Sequence, residues 1–453
     1  MTRSLAEPKP VAVRKYRYSK LRWRISVRAV DSVGWLLAKA LRVVRPARRV
    51  DQPRQILIIQ LDHLGDAILT SPLIAQLKAA YPEAEIDVLA SSSNHEVFEA
   101  NANIRHVQIA RRTWFERQPT NRGFLRTVWT LGRSLRNSGY DLGIDVRGDI
   151  LSILVLTLAG IPRRIGWAMG GGAFMLTDIA RWIPGRHETR SRLALLEPLG
   201  VAPIQPFRTE IHVSDADRIT IARLLAEAWP SRRTFRKESL IESKARTFRS
   251  EPRTRRVRPS GFRAIEREDD WFQADQFAPA PPLLAVHLGA GTSAKRWSPH
   301  SWNQLIGRFQ NDQWRIVIVG GAEDAEWATY IKPHDSILNW TGRLTVAQTG
   351  ALLERADLFI GADSGPAHLA ASAGTRSVVL FSGTNQPGQW RPWSRQSLIL
   401  RHRVPCNPCH QKTCPLLDHP CMSGLKPDRV YRIAQRWWLR SLVPAPIQPS
   451  HPF

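Results

Sequence analysis

Eight short apolar runs, each followed by a polar or glycine-bearing loop and most of them by a helical pattern, constrain this chain more than any other feature. Four lie in the first half: Gln55–Leu61 (QILIIQL), Ile86–Ala90, His106–Ala110 and Asp141–Val146 (DLGIDV). Four lie in the second: Leu283–Leu288 (LLAVHL), 315–319 (RIVIV), 357–361 (DLFIG) and 377–381 (SVVLF). Helical patterns at about 67–80, 124–138, 150–159 and 214–229 separate or follow the first set. Apolar runs without strict alternation, interleaved with helices, predict parallel strands buried on both faces. The expected fold class is α/β, with two Rossmann-like doubly wound domains facing an interdomain cleft. The carboxyl ends of the strands should line that cleft.

Charge and composition set the boundaries. The net charge of +26 would ordinarily suggest nucleic acid or an anionic surface. Its distribution says otherwise for the core. Residues 1–50 hold fourteen Lys and Arg against two acids, and residues 230–268 hold thirteen against five. The remaining 364 residues are only mildly basic, at +6, so nucleic acid is not the expected partner. The division that follows is a basic extension at 1–50, a first domain at 51–229, a basic and partly disordered linker at 230–282, a second domain at 283–440 and a tail at 441–453. The linker lacks periodicity and ends in Ala278-Pro279-Ala280-Pro281-Pro282.

No stretch of 18 apolar residues runs without a charge, and the N-terminus lacks a signal-peptide core. A cytoplasmic protein is expected, peripheral on the inner face of the inner membrane. Leu21–Val44 sets Trp23, Ile25, Val27, Val30, Trp35 and Leu36 among Arg22, Arg24, Arg28, Lys39 and Arg42. That pattern suits a basic amphipathic helix on an anionic membrane surface, and it suits a solvated Arg-rich extension equally well.

Three loops in the second half carry the chemistry. In LFIGADSGPAHLAASAG (358–374) an apolar strand stops at Ala-Asp-Ser-Gly-Pro and a helix begins. Helix N-termini present free N–H groups and a positive dipole, which suits a diphosphate. Ser364 or Asp363 is placed to cap the helix, Gly365 allows close backbone approach, and Pro366 is tolerated in the first turn. The loop His287–Trp297 (HLGAGTSAKRW) is a second anion cradle, with Lys295 one of only eleven lysines against fifty-four arginines. Glu323, in Val319–Asp324 (VGGAED), is placed to hold sugar hydroxyls, or it merely caps a helix together with Asp324. Neither a G-x-x-x-x-G-K-[ST] phosphate loop nor a compact G-x-G-x-x-G fingerprint follows the first strand, which argues against an NTPase or a dehydrogenase.

These elements together resemble the bacterial ADP-heptose:lipopolysaccharide heptosyltransferase family, glycosyltransferase family 9, with the GT-B fold. The resemblance runs from about Arg54 to about Gln435, interrupted at 230–282. It rests on Ile56–Leu61, Leu64-Gly65-Asp66, Thr70-Ser71-Pro72-Leu73, Tyr140–Leu142, Asp145–Gly148, Arg164–Gly166, Gly361–Ala370 and Leu380–Thr384. It implies an acceptor-binding first domain and a nucleotide-sugar-binding second domain. It further implies an inverting transfer of heptose, or a related sugar, from an ADP-activated donor to a lipopolysaccharide-core or other lipid-linked glycan, without a required cofactor. By resemblance Asp66 is the general base, with simple helix capping as its alternative. Lys295 stabilises the departing diphosphate and Glu323 binds the donor. Asp363 holds the donor sugar, and Ser364, Gly365, Pro366, Ala367 and His368 form the pyrophosphate-binding turn. The sequence departs from the family at Asp62-His63-Leu64, and in the extension at 1–50 and the insertion at 230–282.

All four cysteines, Cys406, Cys409, Cys414 and Cys421, fall in one C-x2-C-x4-C-x6-C window. Free thiols are the favoured reading, with structural zinc and a disulfide behind it. Two other functions stand against transfer: a nucleotide-sugar epimerase or hydrolase on the same scaffold, and a non-catalytic membrane- or RNA-binding adaptor working through its basic tails.

Overall fold

The strand runs build two sheets of the same design. In the computed structural model, which describes residues 21–44, 50–111, 114, 123–230 and 280–442, the first sheet contains β1 (Gln55–Gln60), β2 (Glu85–Ser91), β3 (His106–Ala110), β4 (Leu142–Asp145), β5 (Arg163–Gly166) and β6 (Asp178–Ile179). Its spatial order is β3-β2-β1-β4-β5-β6, every pair parallel. The second contains β7 (Leu283–His287), β8 (Arg315–Val319), β9 (Ile337–Asn339), β10 (Leu358–Ala362), β11 (Ser377–Phe381) and β12 (Ser397–Arg401). Its order, β12-β11-β10-β7-β8-β9, repeats the first, again all parallel. The expected α/β class with two doubly wound halves is the observed one.

Helices of six residues or more are numbered here in chain order: α1 (Leu21–Val44), α2 (Leu64–Ala80), α3 (Phe124–Ser134), α4 (Ile150–Leu158), α5 (Glu188–Leu193), α6 (Asp215–Ala228), α7 (Pro299–Asn311), α8 (Val346–Arg355), α9 (Gly365–Ser372) and α10 (Pro427–Leu442). Successive strand residues point to opposite faces, and Ile56 with Leu57, Val88 with Leu89, Ala285 with Val286, Val317 with Ile318 and Phe359 with Ile360 are all buried, so these central strands are covered on both faces. That burial is the largest favourable term in such a fold, roughly 1.5–3 kcal/mol for each large side chain.

One helix start differs from expectation. α2 begins at Leu64 rather than near residue 67, which puts Asp66 inside the first turn. The N-cap position is His63, whose side chain makes no capping bond. Asp66 is therefore not the cap. α6 packs on α8 of the second half, where Arg218 pairs with Glu354 at 2.8 Å, and Val213 just before it lies against Gly350. The linker expected at 230–282 falls almost wholly outside the described residues, as does the tail.

In each sheet the strand order reverses beside the first strand, between β1 and β4 and between β7 and β10. Loops that diverge there leave a crevice at the strands' carboxyl ends. Asp62 and Asp66 follow β1, Arg147 follows β4, Lys295 follows β7 and Asp363 follows β10. These five groups thus leave the strands that flank the two switch points, and the two crevices face each other.

Candidate active site

The N-termini of α2 and α9 meet across the crevice. A Cβ at Gly65 would lie 2.8 Å from the His368 ring, and one at Gly365 would lie 2.8 Å from Leu64. Both glycines are needed because two helix starts approach at backbone distance. The pairing brings Asp66, from one half, to the turn Ser364–His368, from the other.

On the first half, Asp66 is held rather than loose. Arg192 donates from Nη2 to Asp66 Oδ1 at 2.7 Å, from Nη1 to Glu188 at 2.6 Å and from Nε to Thr70 Oγ1 at 2.8 Å. Arg192 is buried, and burial works against its charge, but Glu188, Asp66 and Asp62 raise its pKa above the ordinary arginine value. One carboxylate oxygen of Asp66, Oδ1, is anchored by Arg192, and the other, Oδ2, is left without a hydrogen bond among the described residues. Beneath it, buried Asp62 bonds Arg147 and Gln60. Burial raises the Asp62 pKa and the Asp66 charge adds to the rise, while Arg147 and Arg192 oppose it.

On the second half, Lys295 and Asp363 form one unit. Lys295 Nζ lies 2.7 Å from Asp363 Oδ2 and 3.2 Å from the Asp363 carbonyl, and Asn385 donates to the same Oδ2 at 2.9 Å. Asp363 therefore does not cap α9. Neither does Ser364, although it occupies the N-cap position. Its hydroxyl lies 3.0 Å from His287 Nδ1 and 3.1 Å from the Ala362 carbonyl. His287 in turn donates from Nε2 to Asp324 at 3.0 Å. Burial raises the Asp324 carboxyl, but its bonds to His287 bring it below the usual range. The first turn of α9 thus keeps N–H groups without a side-chain cap, next to a lysine. Gly365, Pro366 and Ala367 form that turn, while Glu323 stands on the exposed 3-10 turn after β8, folded over Gly321.

Sequence reasoning missed Arg192, Asn385 and the relay from Asp324 through His287 to Ser364. Only the spacing of Glu188 and Arg192, four apart on one helical turn, hinted at the first.

The cysteine window has a structural task. Lys412 accepts at its carbonyl from Ala294 N at 3.0 Å and Ser293 Oγ at 3.2 Å, and His419 bonds the Ala294 carbonyl at 3.0 Å. These contacts brace the Lys295 loop. All four thiols are free: Cys406 is exposed and Cys421 is buried. Among the described residues no three His, Cys, Asp or Glu side chains are grouped to hold a metal ion.

Two buried histidines sit at the junction. His187 donates from Nε2 to the Arg391 carbonyl of the other half at 2.8 Å and accepts at Nδ1 from Thr189 N–H. Burial lowers both His187 and His368 to about 4. Their unfolded values lie near 6.5, so below that pH the unfolded chain binds protons that the folded one does not. Stability should be complete above about pH 7 and fall as pH drops toward 4, by about 2 kcal/mol for each histidine at pH 5. Denaturant midpoints at pH 7.5 and pH 5 check this, and His187→Gln should flatten the dependence.

Two Rossmann-like halves with their switch points opposed define a two-domain glycosyltransferase fold. The model of glycosyltransferase family 9 (heptosyltransferase) matches residues 259–419. Lipopolysaccharide heptosyltransferase 3 of Escherichia coli is 23% identical over 343 residues, which is 74% of this chain and 85% of that protein. Lipooligosaccharide heptosyltransferase 2 of Campylobacter jejuni is 31% identical over 160 residues, 34% of this chain and half of that protein. The structure of E. coli ADP-heptose lps heptosyltransferase II aligns with a TM-score of 0.61 at 19% identity, covering 86% of this chain and all of that one. The chain is similar to glycosyltransferase family 9, the heptosyltransferases, over residues 259–419, and at lower identity to named heptosyltransferases over most of its length.

Proposed function

We propose that this enzyme transfers a heptose from ADP-heptose to a sugar hydroxyl of a lipopolysaccharide-core acceptor, with inversion. The observation that carries the reading is the opposition of Asp66 to the Lys295–Asp363 unit across the crevice between α2 and α9. The names of its relatives support the sugar and the nucleotide. The acceptor oxygen attacks the anomeric carbon as its proton passes to Asp66 Oδ2. The bond from that carbon to the diphosphate oxygen breaks on the opposite face, and ADP departs. A carboxylate serves because it need take the proton only as attack proceeds. Arg192 fixes Oδ1, which aims Oδ2. The leaving diphosphate collects negative charge, and the Lys295 ammonium with the N–H groups of α9 meets it without reorganisation. Asp363 gives up part of its bond to Lys295 when the diphosphate arrives and offers its oxygens to donor hydroxyls. Glu323 reaches the donor from the loop after β8.

Thermal unfolding with millimolar ADP, UDP or GDP tests the donor assignment. ADP at about 100 times its dissociation constant should add roughly 2.7 kcal/mol of stability, and Lys295→Ala should abolish most of the shift. A preference for UDP or GDP would remove the ADP-heptose assignment and leave the family intact.

A further inference from the structure

We propose that α1 is a membrane-docking helix that seats the mouth of the crevice on an anionic lipid surface. The helix has two different faces. Val27, Asp31 and Gly34 form the inner one: Asp31 accepts from Gly172 N at 2.8 Å, and Gly34 lies against the Phe174 ring. Val27 meets Gly171. The opposite face carries Ile25, Ala29, Val33 and Leu36 at helical spacing, with Leu37 beside them. Ile25 is 60% exposed, Val33 58%, Leu36 72% and Leu37 62%. A soluble surface helix normally buries such residues and shows polar ones. Here the large apolar side chains point to solvent while the small residues dock.

Charge selects the occupant. Every acid or base in α1 other than Asp31 is basic, and Asp31 is buried. Arg28 and Lys39, eleven residues apart, are both exposed along one flank of the apolar stripe. An apolar stripe bordered by Lys and Arg fits the boundary between headgroups and acyl chains of an anionic bilayer. No helix among the described residues is long and apolar enough to cross a membrane, so α1 would lie in the interface plane.

Position supplies the second argument. The segment that receives α1, Gly170–Phe174, follows β5, and Ile150 beside it follows β4. Both leave the sheet at the carboxyl ends of parallel strands, the edge that carries Asp62, Asp66 and Arg147. The lipid surface would therefore flank the acceptor side of the crevice. Only this link to a lipid-borne acceptor rests on the proposed function, and the docking itself needs no assumption about the sugar.

The test is flotation of the full chain with phosphatidylcholine vesicles, with and without about 30% phosphatidylglycerol, at low and high salt. The native protein should float with the anionic vesicles, and high salt should weaken the binding. Replacing Ile25, Val33, Leu36 and Leu37 together by Ser should reduce the bound fraction on the order of tenfold. Its melting transition should stay in place, because Val27, Asp31 and Gly34 are untouched. Arg28→Gln with Lys39→Gln should weaken anionic binding alone. Failure of the native chain to float, equal binding by the fourfold variant, or equal binding to neutral vesicles would each overturn the proposal. So would a native dimer, seen by light scattering, that the fourfold variant converts to monomer, since a second copy would then cover this face.

Discussion

Asp66→Asn is expected to lower the turnover number by roughly 10²–10⁴ while leaving stabilisation by ADP unchanged. The amide keeps the size of the carboxylate and can still accept from Arg192, so the helix start and the packing of Gly65 on His368 should persist. What disappears is the oxygen able to take the acceptor's proton. An initial-rate assay of donor consumption, run beside thermal unfolding with ADP, separates the two effects. An equal loss of ADP stabilisation would mean that Asp66 holds the crevice together rather than serving the reaction. Unchanged turnover would mean that another group accepts the proton.

The second large effect belongs to Arg192, which lies 3% exposed between Asp66 and Glu188. Arg192→Met should destabilise the fold by about 3 kcal/mol, because two half-buried carboxylates lose their buried counter-ion and Thr70 loses its donor. Much of that is the cost of leaving charge uncompensated rather than the worth of the pair. Adding Glu188→Gln and Asp66→Asn to the same chain should therefore recover part of the loss. Denaturant unfolding of the single and triple variants measures it. If the triple variant is less stable than Arg192→Met, the arginine acts through packing of its stem.

The sequence announced the scaffold well where strands were buried on both faces. β3, β8 and β11 lie where the apolar runs predicted, and β1, β2, β4, β7 and β10 are within a residue of them at each end. β5 reads as Arg163-Arg164-Ile165-Gly166, too short and too charged for the pattern to show, although it pairs between β4 and β6 in the first sheet. β9 and β12 are edge strands whose half-buried residues lack the same apolar continuity. The site was legible wherever a strand ended in a polar loop, which placed Asp66, Lys295, Asp363 and Ser364 at switch points. Capping was misread for the opposite reason. A local motif offers Ser364 and Asp363 only their own helix, whereas the fold offers them His287 and Lys295 from the neighbouring strand's loop. The spacing of Glu188 and Arg192 could not reveal the tie from Arg192 to Asp66, because Asp66 lies 126 residues away and no spacing rule spans that distance.

The central claim is that Asp66 and the Lys295–Asp363 unit act on two substrates at once. Its most direct test is ADP release from ADP-heptose by the full chain, with and without a lipopolysaccharide-core acceptor that lacks the transferred heptose, together with the anomeric configuration of the product by NMR. Release should require the acceptor, match product one for one, and yield the inverted configuration. Release at the same rate without acceptor, or a product of retained configuration, would contradict it.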